Sequence, residues 1–574
     1  MTRREPQEGV RRRCLGASME GWPRSVILAP SERAAKAFPS FARPVLIWLP
    51  LLMLLAGVAI VVAYESLHLT GFTFGSAAVN DYDEGVYMAT AALMAHGYRL
   101  YTQIYNAQPP LFVAAILAAY RLLGEGIWQA RLAVLIFAVL ALLGAFGIAG
   151  LARGTVAAGG AALVLAVSPE FLVYSHAVEE EVPMMALSGL SMAFLLLWLR
   201  QRKLGWSAAS GLFFALAVLT KFFAFALLAP LGVTLLIVLW DARDRRDTVM
   251  PVLSSALAFV IVAAAPFVAS LLWFGPQEWS QMVSDRLHAS SQSAGLQSAS
   301  NVHMVLSFLS PDIGLVVLAL AGGLLLLVWD WRMGLILDTW ALGTLILLAA
   351  YHPLMGHHPA IVLLPAAVLA GIAVAFVLPG QLGNPATGSV HTPDAYRRSV
   401  SPFQSPQGEP ASGDASRRPA LPLASGRLLR VLAVSATVVY LLLLPRLVSS
   451  YSGLLVKPGI DDRSLAAAVI RSRTAPDQMV ATADPLICVE ADRLCVPDLV
   501  DTSYVRMATG KLSATEAITD VRRYRPAVVA MWPRFRSVEM APFATWVHTH
   551  YRLLKAYFCP PGQVASCDAL YIRR

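Results

Sequence analysis

Eleven apolar runs separated by short polar segments restrict most strongly how this chain can fold. Most of them are long enough to cross the roughly 30 Å hydrocarbon core of a bilayer as an α-helix. Hydrophobic residues make up 57% of the 574 residues and charged residues only 14%, and the mean hydropathy is +0.60, which is too apolar for a soluble globular protein. The sequence therefore predicts a polytopic α-helical membrane protein. The predicted spans are Val45–Tyr64, Trp128–Gly150, Val156–Ser168, Val182–Leu199, Ser207–Leu219, Phe222–Trp240, Val252–Trp273, Ile313–Trp329, Met333–Tyr351, Ala360–Val377 and Leu428–Leu444.

The basic residues predict how these spans are oriented. The net charge of +9 comes largely from clusters between apolar runs, so we interpret it as a sign of topology and not of nucleic-acid binding. Flanking arginines place the N-terminus inside, and the clusters at 200–203 and 241–246 then both face the cytoplasm if the short apolar run Leu111–Leu123 does not cross the membrane; otherwise another span must be dropped. We therefore expect this run to be a juxtamembrane helix on the outer surface. The N-terminus is then inside and the C-terminal region outside.

Composition divides the chain into five predicted regions. The Arg-rich start lacks apolar periodicity, and a later stretch rich in Pro, Ser and Gly is typical of a flexible linker. The regions are a disordered cytoplasmic tail (1–43), a membrane domain (44–378) with an external loop (65–127), a disordered cytoplasmic linker (379–427), a last transmembrane helix (428–446) and a small extracytoplasmic α/β domain (447–574).

The C-terminal region has the periodicities of a small α/β domain. The predicted elements are helices at Asp462–Arg473 and Ser513–Tyr524 and strands at Met479–Thr482, Ala527–Met531, Tyr551–Phe558 and Ala569–Ile572. Two closely spaced cysteine pairs, Cys488/Cys495 and Cys559/Cys567, predict disulfides in an oxidising compartment. Unpaired or metal-binding thiols are the alternative, although no CxxC spacing supports zinc.

The segment Asp81–Tyr87 is the strongest candidate for chemistry, because ionisable groups at a membrane surface are costly and are often functional. We predict Asp83 and Glu84 as catalytic residues, with Asp83 as a general base at the start of a helix. The alternative is that Asp83 only caps the helix. Adjacent helical residues diverge by roughly 100°, so Asp83 and Glu84 are not expected to hold the same atom.

Other polar and aromatic side chains near the predicted outer surface are candidates for substrate binding. They are Tyr87, Arg99, Tyr105, Gln108, Lys221, Arg286, His288, His357 and His358. Lys221 is either a phosphate ligand or a lysine that snorkels to the interface. The acidic run Glu179–Glu181 is either a solvated loop, a helix-start charge or a site for a sugar or cation. We predict no protein metal site, because two adjacent histidines do not form one on a helix, but a divalent cofactor stays open.

Four of these segments together resemble the C-type (GT-C) polytopic glycosyltransferases, in particular bacterial relatives of protein O-mannosyltransferases and of lipid A aminoarabinose transferase. They are Asp83-Glu84-Gly85-Val86-Tyr87, Gln108-Pro109-Pro110-Leu111, Leu219-Thr220-Lys221 and His357-His358-Pro359. The resemblance implies transfer of a sugar from a polyprenyl-phosphate donor at the outer face of the bilayer, with Asp83 as the base. The acceptor is a protein, a lipid or a glycan. Members of the family often have a phosphate-binding Lys where this chain has Gln108, so Lys221 or Arg286 is expected to take that role.

Two other classes of function compete with this interpretation. A secondary transporter should show repeated halves and interrupted helices near the membrane midplane, and no such repeat is seen in the sequence. A non-catalytic subunit of envelope glycan assembly would have the same apolar pattern. Loss of sugar transfer on mutation of Asp83 would distinguish an enzyme from such a subunit.

Overall fold

The computed structural model describes residues 42–69, 82–243, 246–293, 298–377, 423–454, 462–557 and 567–574. The predicted tail up to residue 41, most of the predicted linker, Asp81 and Cys559 lie outside these residues. The N-terminal part of the described chain is helical. Its helices are α1 (Ala42–Leu69), α2 (Tyr82–Ala95), α3 (Leu111–Leu123), α4 (Ile127–Arg153), α5 (Thr155–Ala166), α6 (Pro169–His176), α7 (Glu181–Gln201), α8 (Leu204–Thr220), α9 (Leu228–Ala242), α10 (Arg246–Phe274), α11 (Pro276–Trp279), α12 (Asp285–Ser293), α13 (Ser298–Leu309), α14 (Ile313–Trp329), α15 (Trp331–Ala350), α16 (Leu363–Val377) and α17 (Leu423–Leu454).

Eight helices in the described part of the chain are long and apolar enough to cross a membrane. They are Trp48–Ser66, Ile127–Arg153, Glu181–Gln201, Phe222–Ala242, Val249–Phe274, Trp331–Ala350, His358–Val377 and Gly426–Ser450. Two bent pairs raise the number to 10: α5 with α6, bent by 69°, and Ser300–Leu309 with α14, bent by 99°. The remaining predicted span is the short helix α8. Each of the predicted spans is thus helical, and the chain is a multi-pass membrane protein.

Two predicted boundaries are informative. Helix α3 has the predicted bounds, and at 13 residues it is too short to span a bilayer, as the juxtamembrane interpretation requires. The last predicted span, Leu428–Leu444, ends too early, because α17 continues through Pro445 to Leu454. Proline lacks the N–H of the helical ladder, yet a helix in or near the membrane tolerates it when other groups satisfy the freed carbonyl.

Small residues allow the membrane helices to pack closely. Helix α16 is almost entirely buried, and it crosses α5 where Gly160 and Gly371 meet. A Cβ on Gly160 would lie 3.3 Å from the Cα of Gly371, so no larger side chain fits at this crossing without displacement. Close backbone approach of this kind replaces the hydrophobic effect as the source of helix association inside a bilayer.

The C-terminal domain is a four-stranded sheet with helices, as predicted. Its elements are α18 (Asp462–Arg473), β1 (Val480–Thr482), α19 (Leu486–Ala491), α20 (Tyr504–Ala508), α21 (Ala514–Tyr524), β2 (Val528–Met531), α22 (Ala541–His550), β3 (Tyr551–Tyr557) and β4 (Asp568–Arg573). The strand order is β1-β2-β4-β3, with β1 and β2 parallel and the other two pairs antiparallel. The short helices α19, α20 and α22 were not predicted.

One of the two predicted disulfides is present. Cys488 and Cys495 are bonded, with their Cα atoms 5.7 Å apart, and the bond closes the turn after α19. Cys567 is also disulfide-bonded. Because Cys559 lies outside the described residues, its pairing with Cys567 stays a prediction.

Candidate active site

Helix α2 places Asp83 where the membrane domain and the C-terminal domain meet. Because α2 begins at Tyr82, Asp83 is the second residue of the helix and lies in its first turn. About a third of its side chain is exposed (33%), and its Oδ2 lies 3.7 Å from Nε2 of His357. The N-terminal end of a helix dipole stabilises a carboxylate. Asp83 is therefore an accessible acid at the mouth of the membrane domain.

Glu84 lies next to Asp83 in sequence but faces a different part of the structure. Its carboxylate is almost fully buried, accepts a hydrogen bond from the N–H of Val178 (2.7 Å) and lies 3.6 Å from the guanidinium of Arg131. Arg131 is on α4, and Val178 precedes α7. Glu84 thus joins α2 to two other segments of the membrane domain, and the two acids hold different groups, as helical geometry predicts.

The acidic run Glu179–Glu181 is buried beside Lys221, so its interpretation as a solvated loop is wrong. The ammonium of Lys221 is hydrogen-bonded to Glu181 and lies 3.9 Å from a carboxylate oxygen of Glu180. Lys221 itself is only 2% exposed, so it does not snorkel to the interface. Nε2 of His357 is 3.7 Å from Glu181, and this contact links the acidic run to Asp83.

Burial changes the protonation of groups around this cluster. It raises the pKa of Glu179 well above its usual value, and the charges of Glu181 and Asp83 raise it further. Burial also raises the pKa of Glu180 to about 8, against the lowering effect of Lys221. The pKa of His357 is lowered by burial, so its imidazole is neutral at neutral pH. The two carboxylate oxygens of Glu179 make no hydrogen bond within the described residues.

Arg286 borders the same cluster from the other side. Its Nη1 donates to the hydroxyl of Tyr351 (2.6 Å) and its Nε to the carbonyl of Ala107 (3.1 Å). The rings of Tyr351 and His358 are 5.6 Å apart, and those of His358 and His357 are 4.5 Å apart. A continuous chain of contacts therefore runs from Arg286 through Tyr351 and the two histidines to Asp83. Tyr351 was not among the residues predicted from the sequence, because it belongs to none of the motifs considered there.

The other predicted binding residues have different surroundings. Tyr87 is buried and packs edge-on against Phe112, with ring centroids 5.0 Å apart. The hydroxyl of Tyr105 donates to Asp285 (3.2 Å), and the backbone carbonyl of Gln108 accepts from the hydroxyl of Tyr101 (2.7 Å). Arg99 and His288 are exposed.

Three side chains could hold a metal ion together. Glu181, His357 and His358 each offer one ligand atom, and these atoms lie within 4.8 Å of one another. His358 is the first residue of the 3-10 turn His358–Val362 and His357 directly precedes it, while Glu181 begins α7. From the sequence only the two adjacent histidines could be considered together, because the carboxylate of Glu181 comes from another helix.

The comparison with protein families matches part of the membrane domain. Residues 107–269 match the family model described as dolichyl-phosphate-mannose-protein mannosyltransferase. This region includes Gln108, the acidic run and Lys221. No curated protein sequence matches the chain.

Solved structures of membrane enzymes share the fold. ArnT from Cupriavidus metallidurans bound to undecaprenyl phosphate has a TM-score of 0.57 and 16% identity, covering 91% of this chain and 97% of that one. The apo state of the same ArnT has a TM-score of 0.55 and 17% identity, covering 85% and 92%. The apo oligosaccharyltransferase of Archaeoglobus fulgidus has a TM-score of 0.51 and 12% identity, covering 92% and 74%. At such identities the likeness establishes the common fold.

Proposed function

We propose a reaction for this chain from the premise that it is a membrane glycosyltransferase of the GT-C fold, as its family-model match and its shared fold indicate. In this reaction a sugar moves from a polyprenyl-phosphate donor to an acceptor hydroxyl or amine outside the cytoplasm. The acceptor atom attacks the anomeric carbon while the bond from that carbon to the phosphate oxygen breaks. Asp83 takes the acceptor's proton, and polyprenyl phosphate leaves.

The observation that carries this proposal is the position of Asp83. It is a partly exposed carboxylate in the first turn of a helix, 3.7 Å from His357 and next to a buried cluster of charges. General-base catalysis by a positioned carboxylate contributes roughly 10²–10⁴-fold. The carboxylate of Glu84 is not accessible to an acceptor, because it is buried against Arg131 and the backbone of Val178. We assign it the role of holding α2 in place.

Arg286 is the cation best suited to the donor phosphate. Lys221 is already neutralised by Glu181, whereas both hydrogen bonds of Arg286 go to the uncharged groups of Tyr351 and Ala107. Within the described residues Arg286 forms no ion pair at contact distance, although the charge of Glu180 acts on it, so we assign its positive charge to an incoming phosphate, in the role that a lysine at position 108 would have. The bound undecaprenyl phosphate of the ArnT structure supports a lipid phosphate as the donor carrier.

A small apolar pocket lies next to this cluster. It is lined by side chains of α7, α15 and the 3-10 turn Phe222–Leu227, among them Met184, Trp340 and Phe223. Phe223 also packs against His358, with ring centroids 4.8 Å apart, so the pocket adjoins the polar site. Apolar side chains therefore adjoin the charged cluster, an arrangement that is consistent with a donor made of a lipid tail and a charged head group.

The proposal is tested with purified protein in lipid nanodiscs. Radiolabelled sugars on undecaprenyl or dolichyl phosphate are supplied one at a time with delipidated protein, lipid and glycan fractions of the native membrane as acceptors. We expect transfer of label from at least one donor. Parallel reactions with EDTA, Mg²⁺, Mn²⁺ or Zn²⁺ show whether the group of Glu181, His357 and His358 holds a required cation. Folded protein that binds undecaprenyl phosphate but transfers no sugar to any fraction would contradict the proposal.

A further inference from the structure

The C-terminal domain contacts the residue that immediately precedes Asp83. We propose that Tyr82, held by Asp501 and Thr502 of that domain, is a positioning residue for Asp83, so that the C-terminal domain forms part of the active site. This inference rests on the proposed role of Asp83 as general base.

The hydroxyl of Tyr82 uses its hydrogen-bonding capacity entirely on the C-terminal domain. It accepts a hydrogen bond from the backbone N–H of Thr502 (2.7 Å) and lies 3.2 Å from Oγ1 of Thr502 and 3.5 Å from Oδ1 of Asp501. The hydroxyl of Thr502 donates to the carbonyl of Ala483 (3.2 Å), so the proton of Tyr82 is directed to Thr502 or Asp501 as an acceptor. Tyr82, Asp501 and Thr502 are all buried.

Two further contacts fix the first turn of α2 against the same domain. The guanidinium of Arg534 lies 3.2 Å from the centroid of the Tyr82 ring. One turn along, a Cβ on Gly85 would come within 2.9 Å of the Cα of Leu486 on α19, which shows how closely the two backbones approach. Asp83 lies between these two attachment points.

Helix α2 has a buried face toward each domain. Tyr82, Val86, Ala89 and Leu93 recur at helical spacing and belong to the core of the C-terminal domain. Tyr87, Met88 and Ala91 belong to the core of the membrane domain. The rotation of α2 about its axis is therefore set by both domains together, and this rotation decides where the carboxylate of Asp83 points.

Such a contact affects catalysis because a general base needs an accurate position. A misplacement of about 1 Å can cost up to roughly 10²-fold in rate. The donor phosphate, in contrast, is assigned to Arg286, and neither hydrogen bond of Arg286 involves α2 or the C-terminal domain. Loosening the Tyr82 contact should therefore lower kcat and leave donor binding unchanged.

The experiment uses Tyr82→Phe in the full-length protein, which removes the hydroxyl and keeps the ring against Arg534. We expect kcat to fall about 10-fold or more, the affinity for undecaprenyl phosphate to stay the same, and amide hydrogen exchange across α2 to increase. The matched control is Tyr551→Phe, since Tyr551 is also buried in the C-terminal domain and its hydroxyl donates only to the carbonyl of Pro526. This control should transfer sugar at the wild-type rate.

A double-mutant cycle with Asp83→Asn separates positioning from general stability. If Tyr82 acts through Asp83, Tyr82→Phe should lower the residual rate of Asp83→Asn by less than twofold. An equal fractional loss in both backgrounds, or a wild-type kcat for Tyr82→Phe, overturns the inference. A fully active Asp83→Asn would instead remove the proposed base, which is a distinguishable result. If Tyr82→Phe does not fold, Arg534→Gln is measured in the same way, with the same two decisive outcomes.

Discussion

Gly85→Ala tests the contact between α2 and the C-terminal domain at its closest point. A Cβ at this position would lie 2.9 Å from the Cα and 3.0 Å from the Cβ of Leu486, and nearer still to its backbone nitrogen. Ordinary carbon contacts are about 3.5–4.0 Å, so α19 has to retreat by roughly 0.5–1 Å. Overpacking of this kind typically costs about 1–3 kcal/mol, while alanine gains only about 1 kcal/mol over glycine in a helix. The two nearest atoms, the nitrogen and the Cα of Leu486, belong to the backbone and cannot rotate away, so the cost should exceed the gain.

Thermal unfolding and sugar transfer are measured on the purified variant in nanodiscs. We expect a lower midpoint of unfolding and a reduced kcat, because the displaced domain no longer fixes the first turn of α2. Gly232→Ala is the matched control, since Gly232 is inside α9 and a Cβ there meets no atom within 4 Å. If both variants are equally stable and equally active, the result would contradict the claim that α2 and α19 pack too closely to admit a Cβ at position 85.

Three further predictions concern the donor, the C-terminal domain and the topology. Arg286→Gln should raise the dissociation constant for undecaprenyl phosphate by about 10-fold or more, as expected for loss of a charge-assisted hydrogen bond. Arg286→Lys keeps the charge and should retain part of the wild-type affinity. Equal binding by the wild type and both variants would exclude the assigned role. Burial and a hydrogen bond with Asp498 raise the pKa of Asp520 to about 7. Because this folded-state pKa is above the unfolded value of 3.8, the stability that Asp520 contributes is lost as the pH rises from there to about 7, so Asp520→Asn should flatten the fall in unfolding midpoint across this range, and an unchanged slope would contradict this. Reporter fusions after residues 126 and 450 should both report the outer side, and a cytoplasmic signal at 126 would remove the juxtamembrane assignment of α3.

The membrane fold could be predicted from sequence because local composition decides it. A helix that crosses a bilayer must be apolar over its length, so each span is visible without knowledge of its neighbours. The short run Leu111–Leu123 differs from the spanning runs in its length, and charge parity also indicates that it does not cross the membrane. The structure gives this helix the same bounds. The helix Asp462–Arg473 was also predicted with its observed bounds. The end of α17 was missed because Pro445 has no fixed effect inside a membrane helix.

The candidate site could be predicted only in part, because its contacts join residues that are distant in sequence. Asp83 and His357 were both selected, but nothing in the sequence placed them 3.7 Å apart. The pairing of Lys221 with Glu181 was missed, since burial of an acidic run cannot be read from its composition. Tyr82 directly precedes the selected acids, yet its partners Asp501 and Thr502 are more than 400 residues away along the chain. Contacts between residues so far apart in sequence can be identified only when the fold is known.

The rate of sugar transfer by Asp83→Asn tests the central claim most directly. Asparagine keeps the size of the side chain and its ability to accept hydrogen bonds at a helix start, but it cannot take a proton. With the donor and acceptor identified by the panel, we expect kcat to fall by about 10²–10⁴-fold while undecaprenyl phosphate binds with unchanged affinity. Asp477→Asn, at an exposed position of the C-terminal domain, should remain fully active. A folded Asp83→Asn protein that binds the lipid phosphate and transfers sugar at the wild-type rate would contradict the assignment of Asp83 as the general base.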